Sequence, residues 1–179
     1  MGQYKCKNTT VSSIAETFGV TPDNVEALNE LYNKLIDCVP YQYLAHIIRN
    51  LESYVRSKEK SPKFKILCLP MKGPTDTVKQ LACARYKKGS SFTIVYDDRI
   101  DEKQKRIVIA HELGHLFLAV EAERGYEENH EPLSSVFGVI SMLHKNEAAG
   151  SKIKVAEVDL IKEFSLFMNS QLGEFNVSN

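Results

Sequence analysis

Arg106-Ile-Val-Ile-Ala-His111-Glu112-Leu-Gly-His115-Leu-Phe-Leu-Ala-Val120 is the stretch on which the reading turns. Ile107, Val108, Ile109, Ala110, Leu113, Leu116, Phe117, Leu118 and Val120 are apolar on nearly every face of a helix, and a helix apolar all round is a buried one. Inside it sits H-e-x-x-H. Residues four apart on a helix lie one turn along the axis and about 40° apart, so the imidazoles of His111 and His115 can reach one ion. Two histidines and a glutamate are costly to bury unless paired, and a metal ion in a cleft removes that cost. Glu112 points to one side of the pair, where it can touch a water without taking a coordination position. Zinc at such a site lowers the pKa of its water to about 7 and polarises a carbonyl, with the glutamate as general base. Gly114 keeps the helix surface low between the histidines and lets another element approach. The alternative for this pattern is two histidines that merely face water, and the apolar surroundings argue against it.

The segments around this helix set the fold class. Upstream, Thr21-Pro22 opens a helix with Thr as N-cap and Pro in the first turn, and Val25, Leu28, Leu31, Leu35 and Ile36 form its stripe until Pro40. Leu44, Ile47, Ile48, Leu51 and Val55 mark a second amphipathic helix, and Ser57 to Lys63 a charged connector. The period then shortens. Phe64 to Met71, Gln80 to Tyr86 and Ser91 to Tyr96 read as three strands separated by turn signals. Downstream of the apolar helix come an acidic loop from Glu121 to Glu131, a helix opened by Pro132 and running from Leu133 to His144, and a last amphipathic helix through Val155, Leu160, Ile161, Phe164, Phe167 and Met168. This order predicts an α+β fold. N-terminal helices precede a small three-stranded sheet, followed by a buried H-e-x-x-H helix and further helices, a minimal zincin-like layout. The whole chain, 1–179, reads as one domain with an N-terminal helical extension over about 1–60. Residues 1 to 10 read as a loose arm.

Composition bounds the function. The chain has 179 residues, 43% of them hydrophobic and 26% charged, with a formal net charge of zero. Neutrality argues against a protein that grips nucleic acid or an anionic membrane through bulk charge. No apolar run approaches the roughly 20 residues of a membrane span, and the opening Met1 to Cys6 has no apolar stretch to serve as a secretory leader. Cys6, Cys38, Cys68 and Cys83 include no C-x-x-C pair, so they read as reduced thiols of a cytoplasmic protein. Cys68 and Cys83, inside strand-like segments, are expected to pack in a core.

The run Lys103 to Leu118 resembles the signature of the ImmA/IrrE family of zinc metallopeptidases, R-x-x-x-A-H-E-x-G-H, preceded there by N-terminal helices and a short sheet. The likeness in layout covers about residues 64 to 145, but only about 16 residues of it are specific. It implies a small zinc-dependent endopeptidase, a hydrolase that cleaves a protein substrate, typically a helix-turn-helix transcriptional repressor in mobile-element or stress regulation. It also implies His111 and His115 as zinc ligands and Glu112 as the catalytic general base. The family's later helix has the form E-x-E-A-N-x-F-A-x-x-L-L-M-P. Ser134-Ser-Val-Phe-Gly-Val-Ile-Ser-Met-Leu143 falls in register with its A-N-x-F-A-x-x-L-L-M part. That register puts Glu131 on the first glutamate and Leu133 where the second is expected. Glu131, beside Pro132 at a helix start that favours an anion, is therefore the expected third ligand. Glu157, on the same helical face as Leu160, Ile161 and Phe164, is its rival, with His130 and Glu128 further alternatives. A solvated acidic loop is the plain reading of any one of these carboxylates.

A longer metzincin motif would need glycine at 118 and histidine at 121; Leu118 and Glu121 stand there instead. The departure at Leu133 keeps open a non-catalytic, zincin-like module that binds a regulator without cleaving it. For the enzyme reading, Ser91 to Tyr96 is the natural sheet edge for a substrate strand to pair with, unless it is an ordinary core strand. Ser13 to Val25 resembles half of a helix-turn-helix. Its second helix carries Asp23, Asn24, Glu26, Asn29 and Glu30 rather than Lys and Arg, so direct nucleic-acid binding is not expected.

Overall fold

The computed structural model describes residues 6–35, 43–72, 81–121, 130–148 and 156–176. Helix α1, Asn8–Phe18, ends on Gly19, whose φ of 67° and ψ of 34° supply the left-handed cap that releases the chain into the next helix. Helix α2, Pro22–Leu35, begins as its sequence dictates, with the Asn24 amide donating to Thr21 Oγ1 at 3.2 Å. Helix α3, Tyr43–Lys58, buries Ile47, Leu51 and Val55 completely. Cys6 and Thr10 are buried, so the expected loose arm of 1–10 is overturned for its described part. α1 starts at Asn8, and Cys6 Sγ lies 3.6 Å from Asn29 Oδ1. That contact also explains why Asn29, expected on the polar side of α2, is inside.

The strands are β1, Lys65–Met71, β2, Ala82–Lys87, and β3, Ser91–Asp97. Their order is β1-β3-β2, with β3 parallel to β1 and antiparallel to β2. The expectation that β3 is an edge is therefore overturned. The short turn through Gly89, φ 72°, folds β2 back on one side of β3, and β1 takes the other side, leaving β1 and β2 as the edges. Alternation sorts the strand faces. Phe92 and Ile94 of β3 and Ile66 of β1 point to the core, while Leu67, Leu69 and Met71 of β1 stand exposed on the other face. Cys68 is half-buried, as expected. Cys83 is exposed, against expectation, because it pairs with Val95 and thus faces outward with Leu69, which pairs with the same residue. Cys38 lies outside the described residues.

Helix α4, Glu102–Val120, is the centre of the molecule. Asp101 and Gln104 close a reciprocal cap at its start, the Gln104 amide donating to Asp101 Oδ1 at 2.7 Å. Strands β2 and β3, helix α3 and helix α5, His130–Ala148, surround it. Ile109, Ala110, Leu113 and Leu116 are at most 1% exposed, as the all-round apolar pattern requires. Helix α6, Glu157–Asn176, closes the far side against α1 and α5. With six helices and one three-stranded mixed sheet among the described residues, the fold is α+β. One core runs from Cys6 through α4 and α5 to Phe164.

Candidate metal centre

The centre is built where α4 and α5 touch. Backbone approach is possible because of Gly114: a Cβ there would stand 2.6 Å from the Ser134 carbonyl oxygen and 2.9 Å from its Cα. Gly138 makes room chiefly for α6, since a Cβ on it would meet the Phe164 ring at 2.7 Å, with the Ala110 carbonyl carbon of α4 farther off at 3.4 Å. Rings of Phe117 and Phe137, 5.1 Å apart, pack behind.

At this seam Glu131 Oε2 lies 3.2 Å from His111 Nε2, and Glu131 Oε1 lies 3.2 Å from His115 Nε2. The two Nε2 atoms are 3.0 Å apart. One ligand atom from each residue falls within 4.8 Å of the others, a grouping that could hold a metal ion. Its burial is graded: His111 is buried, His115 half-buried and Glu131 exposed, so the site opens to solvent on the carboxylate side. Glu131 is in the first turn of α5, where its charge meets the unpaired helix amides. Pro132 follows within that turn, where a missing N–H costs nothing. The helix therefore begins at His130, ahead of the start read from Leu133. Hydrogen bonding to His111 and His115 holds the Glu131 carboxyl far below the usual carboxylate range. Burial pushes the Glu112 carboxyl up; the charges of His111 and His115 pull it down, and that of Glu131 adds to the rise.

The Nδ1 side of each ring is also held. His111 Nδ1 meets Ser135 Oγ at 3.0 Å, and His115 Nδ1 meets Ser134 Oγ at 3.0 Å and His130 Nδ1 at 2.7 Å. His130 lies flat on His115, ring centroids 4.8 Å apart and 14° between planes. Burial, then the neighbouring His115, lowers the His130 pKa. Sequence reasoning named Ser134 and Ser135 only as part of a register and gave them no role. The signal was present: 131, 134 and 135 fall at i, i+3 and i+4, one face of one helix.

The other candidates part from this group. Glu157 starts α6 and accepts a hydrogen bond from Thr10 Oγ1 of α1, which is why its inward-facing position did not bring it to the histidines. Glu121 is buried against Lys58, Nζ to Oε1 3.0 Å. Leu133 is buried in the core and offers no donor. His144 packs edge-on against Tyr32 and its pKa is lowered by burial. Glu128 lies outside the described residues. Two imidazoles and a carboxylate suit a borderline cation such as zinc, which takes nitrogen and oxygen ligands and keeps a fourth position for chemistry. The donor set fits that ion.

Compared with family models, with curated proteins and with solved structures, the chain finds no match in any of the three.

Proposed function

We propose that the chain is a zinc-dependent endopeptidase of the ImmA/IrrE kind. The observation that carries this reading is the convergence of Glu131, from the first turn of α5, on both Nε2 atoms of the H-e-x-x-H helix. Three protein ligands beside an open face are the pattern of catalytic rather than structural zinc. Held by His111, His115 and Glu131, zinc supplies a Lewis acid that polarises a scissile carbonyl and acidifies a water. Glu112 lies one position along α4 from His111 and does not join the ligand group. Its role is to take a proton from the attacking water and hand it to the leaving amine. Partial burial raises its proton affinity, which suits a group that must hold a proton between the two transfers.

The substrate is a polypeptide, by this reading a helix-turn-helix repressor. A substrate strand needs a free edge, and of the two available, β2 packs against α4. The acidic and amide side chains of α2, Asp23, Asn24 and Glu26, disfavour direct contact with DNA. No helix among the described residues is long and apolar enough to cross a membrane.

The test pairs metal analysis with cleavage. Purified chain should bind about one zinc per molecule, and Glu112→Gln should retain it while losing cleavage of a repressor substrate by 100-fold or more, about the size of a general-base effect. A Glu112→Gln variant that cuts at the wild-type rate would remove the proposed mechanism.

A further inference from the structure

The sheet has a second edge, away from β2. β3 separates β1 from β2, and no described strand pairs with β1 on its other side. The Lys65 amide donates to the Ser90 carbonyl at 3.2 Å, and the Met71 carbonyl accepts from the Asp98 amide at 3.1 Å. Backbone groups alternate sides along a strand, so Lys65, Leu67, Leu69 and Met71 turn theirs to β3, and Ile66, Cys68 and Pro70 turn theirs outward. Pro70 has no N–H to leave unpaired, and an edge is where a strand tolerates it. The Ile66 and Cys68 amides and the carbonyls of Ile66, Cys68 and Pro70 remain, a short template for another strand.

The side chains along this edge have a definite character. Lys65, Leu67, Leu69 and Met71 share the face opposite the core, and the three apolar ones are 42%, 48% and 44% exposed. Lys63, Lys65 and Lys72 stand exposed around β1, and Arg85, Lys87 and Lys88 on β2 and its turn. Residues 61–72 and 81–96 contain no Asp or Glu, in a chain of zero formal net charge. The ion pairs of the described residues use other cations, Arg56, Lys58, Arg99, Lys103 and Lys105. Carboxylates come only at the Met71 end, with Asp97 and Asp98, and Arg99 already holds Asp97. Glu59, below the turn, is taken by the Tyr86 hydroxyl and the Gly89 amide.

Lysine and proline commonly guard an edge against a further strand. Here they flank Leu67 and Leu69 without interrupting them, and their unpaired charge repels a second copy of this edge while attracting an anion. Lipid would leave the outward backbone groups of β1 without partners. The outward residues of the sheet include no aromatic ring on which bases could stack. An acidic polypeptide meets both requirements, since its backbone pairs with the edge and its carboxylates with the lysines. We propose that the free edge of β1 docks an extended acidic segment of a partner polypeptide. The segment adds as a further strand, with carboxylates beside Lys65 and Lys72 and apolar side chains beside Leu67 and Leu69. The proposal stands apart from the metal centre, and its test needs no zinc.

The probe is the capped peptide Glu-Thr-Val-Thr-Val-Thr-Glu, as long as β1 and of the same pattern in either chain direction. It is added in millimolar amounts to the ¹⁵N-labelled full chain at low ionic strength, and hydrogen exchange is read by NMR. Exchange should slow by about tenfold or more at the Ile66 and Cys68 amides, and change little at Leu67 and Leu69, already bonded to β3. Lys65→Glu combined with Lys72→Glu, both at exposed positions, should weaken the peptide about tenfold. The same peptide with Lys in place of both Glu should prefer this variant to the wild type. Unslowed exchange at Ile66 and Cys68 in the wild type overturns the proposal, as does equal wild-type binding of the acidic and basic peptides. Vesicles of phosphatidylserine and phosphatidylcholine, or a DNA duplex, that shift the Lys65 and Leu67 signals where the peptide does not would also overturn it and reassign the face to lipid or nucleic acid.

Discussion

Gly114 presses against the backbone of Ser134 so closely that a single added methyl would sit 2.6 Å from the Ser134 carbonyl oxygen. This contact, more than any side chain, brings α5 within reach of the histidines on α4. In an open helix, Gly→Ala is worth about 1 kcal/mol of added stability. Here the obstacle is backbone, which cannot rotate away, and overpacking typically costs about 1–3 kcal/mol. The second effect wins, so Gly114→Ala should lower the urea midpoint despite its better helix propensity. It should also weaken metal binding, because α5 carries Glu131, Ser134 and Ser135. Gly138→Ala meets the edge of the Phe164 ring instead and should lose less. Equal destabilisation of the two variants, or a more stable Gly114→Ala, would show that the helices do not pack as closely as described.

Glu131 and Glu157 were rival ligands by sequence, and the structure places Glu131 beside the two histidines and Glu157 against Thr10. Glu131→Gln should cost metal affinity by more than the roughly 10–100-fold typical of an outer contact, with little change in fold, since its side chain is 67% exposed. Glu157→Ala should retain the metal and lose about 1–3 kcal/mol, as the charged hydrogen bond from Thr10 tying α1 to α6 is removed. Isothermal titration with zinc and urea unfolding on both variants separates the roles. A Glu157→Ala protein that folds normally but no longer binds zinc would reverse the assignment.

What was legible in the sequence follows from locality. The α2 start at Thr21-Pro22, the Gly19 turn, the three strands and the buried α4 are each written in a short window, through a cap, a left-handed glycine or an unbroken apolar run. Strand order was not, because pairing β1 beside β3 joins residues far apart in the chain and leaves the same alternation whether β3 is central or at an edge. The H-e-x-x-H pair was read from spacing on one helix. The choice of Glu131 depended on which part of α5 faces α4, a tertiary matter for which Gly114 and the small residues Ser134, Ser135 and Gly138 were the available clue. Glu157 shows the limit of facial arguments: inward-facing on α6 means facing α1.

Asp97 gives the fold a small acid sensitivity in a defined pH window. Hydrogen bonds from the Arg99 guanidinium, at 2.6–3.1 Å, and from the Arg99 amide, at 2.9 Å, lower its pKa from 3.8 to about 2. A carboxylate with a folded value below its unfolded one stabilises the fold above the unfolded pKa, and that contribution is lost as pH falls through the folded value. The window thus lies between about pH 4 and about pH 2. Because Arg99 is 62% exposed, solvent screening keeps the effect to a fraction of about 1 kcal/mol. Asp97→Asn should flatten the stability–pH profile in that window and leave it unchanged near neutrality apart from a constant offset. An unaltered slope between pH 4 and 2 would show that the Arg99 pair is not held in solution.

The cysteines should differ in reactivity in the order that strand geometry sets. Cys83 faces outward from β2 and is exposed. Cys68 is half-buried on β1, where burial pushes its thiol up to about 11 against a smaller opposing pull from Lys105. The nucleophile is the thiolate. At about pH 8 a thiol of ordinary pKa is partly ionised, whereas one near 11 is ionised to about one part in a thousand. Iodoacetamide labelling followed by peptide mass spectrometry should therefore modify Cys83 first, Cys68 far more slowly, and the buried Cys6 only as the fold opens. Raising the pH toward 11 should accelerate the labelling of Cys68. If Cys68 instead labels as fast as Cys83 in the folded protein, the inner face of β1 is not packed on the core, and the register that places Cys68 beside Ile94 is wrong.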